Sequence, residues 1–376
     1  MSKRAILIVT FLIIITIILS FLFLHNNKKT ILQENYKVPK YKIFLSNMHS
    51  KKSYIGDIDD NGIWLDGEKS EYMDLSLVDI KDEYALLSGH RKNNNLLFTS
   101  DNSFKSLVYY DENFNDMSGS TASYLENNGK ITSTLNLGVE DNSYWVALTS
   151  RNKEEIFYTT QIPMYTEEIH KKGNTIDLFG FNLNSENQFI ASIIRYNEEN
   201  QKIETTKKFE EFSNLYNVLS HDNYYYALPS KAGKEFGTEI VVFDKKKLKI
   251  VEIKTFNTPI DKIFMIDNYF FVLKLDGTLS KYDEKFKEVT NKDILNGNSN
   301  VYLDFSLYYE NSIYILLHYN EHKKINGKIL KATIIEINTH DLTVISETPI
   351  YMENYLSDYT EIIRFIPMDF FKGTAD

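Results

Sequence analysis

One phrase recurs along this chain and constrains its fold more than any other feature. It is an acidic residue or Asn, then aromatic and β-branched residues closing on Ala, Val or Leu. The phrase stands at 82–87 (DEYALL), 141–148 (DNSYWVAL), 222–228 (DNYYYAL), 267–273 (DNYFFVL) and 310–317 (ENSIYILL). A looser copy occupies 174–179 (NTIDLF), so successive copies start 59, 33, 48, 45 and 43 residues apart. A second phrase follows, a β-like run ending in Asp or Asn, as at 195–197 (RYN), 242–244 (VFD), 281–283 (KYD) and 336–338 (EIN). Hairpin signals lie between them, at 275–278 (LDGT) and 325–328 (INGK), where Gly supplies the positive φ of a tight turn. Each unit therefore holds about four short strands, several of them continuous apolar runs that need cover on both faces. A single four-stranded sheet cannot supply that cover. Units stacked around an axis can, and a period of roughly 45 residues is that of one blade in such a ring.

On this periodicity the stretch 41–371 resembles the bacterial β-propeller superfamily, broadly its WD-repeat, YVTN and quinoprotein-like types. The resemblance is architectural: the chain has no Gly-His…Trp-Asp pair and no Tyr-Val-Thr-Asn tetrad. It implies an all-β fold of four-stranded blades. The copies, with 41–73 and 359–371 left over, give seven blades, with six and eight as alternatives. Strands from both ends sharing one blade would leave no free edge. A pair of β-sandwiches is the rival fold, kept open by the uneven 59 and 33 intervals. Phe209, Phe212, Leu215 and Leu219 have helical spacing, yet the repeat puts a blade's first strand there.

Residues 5–24 (AILIVTFLIIITIILSFLFL) form an uninterrupted run of apolar and hydroxyl residues. A helix of that length spans a hydrocarbon core of about 30 Å. Lys3, Arg4 and the α-amino group precede it, and Lys28 and Lys29 follow only after a gap. The expected topology is a single-pass cell-membrane protein with its N-terminus inside and its C-terminal domain outside the cytoplasm. The residues after the run offer no small-x-small cleavage site, which argues for an uncleaved signal-anchor. The expected division is an anchor at 1–30, a linker at 31–40 and the propeller at 41–376. Beyond residue 30 the chain carries 38 Lys+Arg against 52 Asp+Glu, a net of −14. That balance, with no basic block, excludes nucleic acid as a partner. The absence of Cys excludes a thiol nucleophile, lipoprotein anchoring and Cys-ligated metal.

Two motifs bear on metal chemistry. Residues 57–68 match the calcium-loop pattern D-x-D-x-N-G-x5-E in full, with Asp57, Asp59, Asn61 and Glu68 as side-chain ligands and the Ile63 carbonyl among them. The same residues read as a β-hairpin, 54–58 and 63–66 about a DDNG turn, and turn chemistry favours that reading. Residues 318–322 (HYNEH) match the inverted zincin motif, which needs two His one helical turn apart. Their β-like flanks predict strand, polar turn and strand, which would hold the two His about 13 Å apart. No other cofactor motif and no G-x-S-x-G nucleophile is present.

The expected function is a surface-displayed binding or scaffolding module for a protein, peptide or envelope polymer. The alternative is a hydrolase or lyase acting on a carbohydrate or lactone through carboxylates around the channel. Several carboxylates or His in one concave pocket would favour the enzyme, and a face rimmed by exposed aromatics would favour binding.

Overall fold

The computed structural model describes residues 38–47, 49, 51–70, 77–89, 94–109, 119–233, 236–325, 327–353, 356 and 362–372. The apolar run at 5–24 lies outside them, and no helix among the described residues is long and apolar enough to cross a membrane. Lys40–Asp376 is one compact unit.

Seven antiparallel four-stranded sheets make up this unit. The innermost strands, from blade 2 to blade 7, are Leu77–Lys81, Ser120–Leu125, Tyr165–Lys172, Asn214–His221, Ile260–Ile266 and Val301–Tyr309. Consecutive innermost strands touch one another, which sets them around a common axis. Blade 1 is composite. Its inner strand, Ile362–Pro367, pairs antiparallel with Tyr41–Asn47, from Tyr41 opposite Pro367 to Ser46 opposite Ile362. The ring is thus closed by the two ends of the domain, and the chain is a seven-bladed β-propeller.

In blades 2 and 4 to 7 the recurrent phrase marks the turn into the second strand. Asp82, Asp222, Asp267 and Glu310 have φ of 47°, 43°, 47° and 52°, and Gly173 takes the same place in blade 4 with φ 58°. That left-handed conformation is cheap for Gly and tolerated by Asp and Asn, which explains the start of the phrase. One copy is out of phase. The phrase at 141–148 enters Ser143–Arg151, the third strand of blade 3, while the second strand, Ile131–Glu140, follows the turn at Asn128 and Gly129. Restarted at Asn128, the units at 82, 128 and 174 fall 46 residues apart, and the irregularity that kept a sandwich open disappears.

Alternation along the second and third strands builds the core. Tyr225 and Ala227 pack against Phe179, Ala191 and Ile193 of blade 4, whereas Tyr226 and Leu228 meet Phe270 and Val272 of blade 6. A cluster of this kind fills each of the seven gaps between blades. Phe270 is fully buried and its ring lies 4.6 Å from that of Tyr226, so Phe270→Ala would cost about 3–5 kcal/mol. Leu215 and Leu219 lie in the first strand of blade 5, so their helical spacing is coincidental.

The histidine motif runs through a strand. Ser312–Ile325 continues past His318, its register with the next strand shifting between His318 and Lys323. The chain reverses between Ile325 and Lys328, so the expected polar turn sits at the INGK signal and not at the motif itself.

Candidate functional site

The inner strands run from one face of the ring, here called the upper face, to the lower face. In blades 3 to 7 each carries a bulge near its start. In blade 4 Thr166 pairs with Gly180 and Glu168 with Phe179, leaving Glu167 as the extra residue. Asp261 and Asp304 hold the same position in blades 6 and 7. A bulge bends the strand and re-aims its side chains. Around the axis this brings polar groups to the wall of a cavity of about 380 Å³, among them Asp79, Glu167, Glu168, His170 and Lys262.

The inner edge of an innermost strand has no further strand to pair with, so its backbone groups need other partners. Channel side chains provide them, blade to blade. The Leu125 N–H donates to Asp79 Oδ2 at 3.2 Å, and the Ile263 N–H donates to Asn217 Oδ1 at 2.6 Å. Lys262 Nζ donates to the Ser306 carbonyl at 2.7 Å, and the Val218 N–H serves Glu168. His170 Nε2 donates to the Val218 carbonyl, 2.9 Å away.

These groups are reached by water yet surrounded by protein, and their protonation reflects it. Burial and then the Asp79 charge push Glu168 up to about 8, against the pull of Lys262. Burial also raises Asp79 and Glu167, opposed by the Leu125 N–H and by the Asn214 side chain respectively. Asp261 rises to about 6 by burial, with Lys262 opposing and Asp304 reinforcing. Burial depresses the Lys262 ammonium and holds His170 at about 4, so that imidazole is neutral at pH 7.

An aromatic cluster stands beside the channel on the upper face. The Tyr165 and Phe181 rings stack at 4.9 Å, Tyr144 meets both edge-on, and Phe189 lies 5.1 Å from Phe181 with 52% of its surface exposed. Burial and the neighbouring Glu167 charge raise the Tyr165 hydroxyl to about 12, which ties the cluster to the channel mouth. Across the mouth, Tyr302 stacks on His318 at 5.2 Å. Asp304 lies 3.3 Å from His318 Nδ1 and 3.5 Å from Arg364 Nη1.

The lower face is built differently. Arg195 clamps buried Asp177 through two bonds of 2.7 Å, and the Tyr225 hydroxyl donates to the same carboxylate. Glu198 lies 2.8 Å from Lys130 and 2.7 Å from Lys171, which also reaches Glu126.

The calcium-loop residues lie far out in blade 1, in a hairpin of Lys52–Ile58 and Trp64–Ser70. Asp57 is buried and paired with Lys42 Nζ at 2.8 Å, and Asp59 Oδ1 accepts the backbone N–H groups of Asn61 and Ile63. The Asn61 side chain bonds Asp60, while Glu68 is exposed on the second strand opposite Ile55. Among the described residues no group of three or more His, Asp or Glu could hold a metal ion. The channel residues were not singled out in the sequence, although Glu167, Asp261 and Asp304 each stand six residues ahead of the positive-φ turn residue of their blade.

No protein-family model matches the chain, and no curated protein matches its sequence. Solved structures share its architecture. That of apo AztD from Citrobacter koseri is 11% identical, with a TM-score of 0.51, covering 88% of this chain and 98% of that one. A chain of the mitotic checkpoint complex is 10% identical, with a TM-score of 0.48 over 73% of this chain and 80% of its own length. The computationally designed Ika8 protein is 10% identical, with a TM-score of 0.47 over 83% and 88%. At 11% identity the likeness to AztD is one of fold.

Proposed function

We propose that this chain is a membrane-anchored, extracytoplasmic propeller that binds a protein, peptide or envelope polymer on its upper face. The observation that carries this reading is the aromatic cluster of Tyr144, Tyr165, Phe181 and Phe189 at the channel mouth. Stacked, part-exposed rings offer a rigid apolar surface at low entropic cost, and the carboxylates beside them add polar selectivity. The apolar run at 5–24 supports the anchor, and the net of −14 beyond it keeps the domain off anionic lipid. The reading is tested by co-sedimentation of the full chain with isolated cell-wall polymer, and by its binding to an array of envelope peptides. Phe189→Ala and Tyr144→Ala should each weaken retention about tenfold. Retention that survives both variants and fails in a lower-face variant would sink it.

A second reading, a hydrolase or lyase on a carbohydrate or lactone, is favoured by one observation. Asp79, Glu167 and Glu168 share one concave cavity, and Glu168 is protonated at neutral pH, as a general acid must be. Turnover of chromogenic glycosides or lactones that is lost in Glu168→Gln would establish it over simple binding.

A further inference from the structure

We propose that the channel cavity binds a small organic ammonium ion, held by Asp79 and Glu168 from opposite sides of blade 3. This goes beyond the reading above, because it concerns the channel and stands whatever docks on the upper face. Three carboxylates, Asp79, Glu167 and Glu168, line the cavity from blades 2 and 4, and among the described residues none of them has an ion pair. The nearest cations are otherwise engaged. Lys262 Nζ bonds the Ser306 carbonyl and lies over the rings of Phe264 and Phe305, and Lys81 lies over Tyr124. Two hydroxyls in the same wall, Ser88 Oγ and Ser306 Oγ, are buried and have no hydrogen-bond partner among the described residues.

An ammonium group matches this wall in charge and in bonding. It has three N–H donors and needs no convergent ligand shell, so carboxylates on separate blades and a hydroxyl can share it. A metal ion needs its oxygens to converge at 2.0–2.6 Å, and among the described residues no such group exists. Binding also has a definite proton balance. Glu168 is faced by Asp79 from blade 2, by Lys262 from blade 6, and by Glu167 and His170 on its own strand. Protonated when the cavity is empty at neutral pH, its carboxyl gives that proton to solvent as the ammonium arrives, and the carboxylate pairs with the cation.

The test is titration calorimetry of the full chain in detergent, with butylammonium, butyrate and calcium as separate probes. Butylammonium should bind with proton release, seen as a buffer-dependent enthalpy, and on the order of 50- to 100-fold more tightly near pH 8.5 than near pH 6. Glu168→Gln and Asp79→Asn should each weaken it about tenfold, while Phe189→Ala on the aromatic cluster should not. Should either channel variant fail to fold, the pH dependence and proton release of the unaltered chain decide the matter. The proposal is overturned by no butylammonium binding up to about 10 mM, an affinity weaker than that threshold implying too few contacts. It is equally overturned by butyrate or calcium binding in its place, or by unchanged affinity in a folded Glu168→Gln. None of these outcomes touches retention of polymer or peptide on the upper face.

Discussion

Glu168 and Glu198 belong to the same blade and have opposite electrostatic fates. Both are partly withdrawn from water, which disfavours their charge. At Glu198, on the lower face, bonds from Lys130 and Lys171 outweigh that cost and hold the carboxyl below its ordinary range. At Glu168, in the channel, the neighbouring Asp79 adds to the cost, and the carboxyl keeps its proton to about pH 8. The contrast extends to the surroundings. The lower face joins blades 3 and 4 with close ion pairs, whereas among the described residues the channel carboxylates Asp79, Glu167 and Glu168 have none. Paired charges rigidify, and uncompensated ones are sensitive to pH and to ligands.

The largest effect should come from breaking the strongest pair. Arg195→Met leaves the Asp177 carboxylate, 2% exposed, with the Tyr225 hydroxyl in place of a cation. We expect a loss of about 3–5 kcal/mol in urea unfolding. The channel should respond with the opposite sign. Because folding raises the Glu168 pKa from 4.5 to about 8, its contribution is fully present below pH 4.5 and is lost as pH rises through about 8. Glu168→Gln has no proton to lose, so it should be indistinguishable from the unaltered chain below pH 4.5 and gain on it by about 1.4 kcal/mol for each pH unit up to about 8, then stay ahead by a constant margin. Equal pH profiles for the two proteins would erase the contrast. Glu198→Gln should cost about 1–2 kcal/mol at pH 7. Its folded pKa is depressed, so that difference should be full above 4.5 and fade as pH falls through the folded value. The smallest effect concerns the blade 1 hairpin. Melting in millimolar calcium and in chelator should coincide, since Asp57 is engaged by Lys42 and Asp59 by the turn. A calcium-dependent rise that vanishes in Asp59→Ala would show a metal site there.

The ring was legible because its signals are local and repeated. A positive-φ residue before the second strand of blades 2 to 7 restricts the choice to Asp, Asn and Gly, with Glu310 an outlier, and apolar alternation follows from cover on both faces. The error at 141–148 has the same origin, since Asp141 and Asn142, with φ of 50° and 58°, make the next hairpin with identical turn chemistry. The channel was not legible. Asp79, Glu168 and Lys262 are scattered through 184 residues of sequence, and only ring closure brings them to one cavity. Their local context, a charged residue at the start of a strand, is also that of any solvated edge. The HYNEH and calcium-loop patterns show the reverse case, a motif spacing that spans strands, with His318 and His322 on one strand and Asp57 and Glu68 on two strands of a hairpin.

The composite first blade also sets an order of events. Tyr41–Asn47 finds its inner neighbour only in Ile362–Pro367, about 320 residues later. Until that strand emerges, Ile43 and Phe365 have no shared core to enter, and one side of Tyr41–Asn47 remains an open template for foreign strands. Blades 2 to 7 can each form from contiguous chain, but the circle is sealed by the contact of longest sequence separation, the slowest kind to form. During synthesis the domain is therefore an unlatched arc for most of its early life, and whatever shields Tyr41–Asn47 in that interval guards the whole propeller against aggregation.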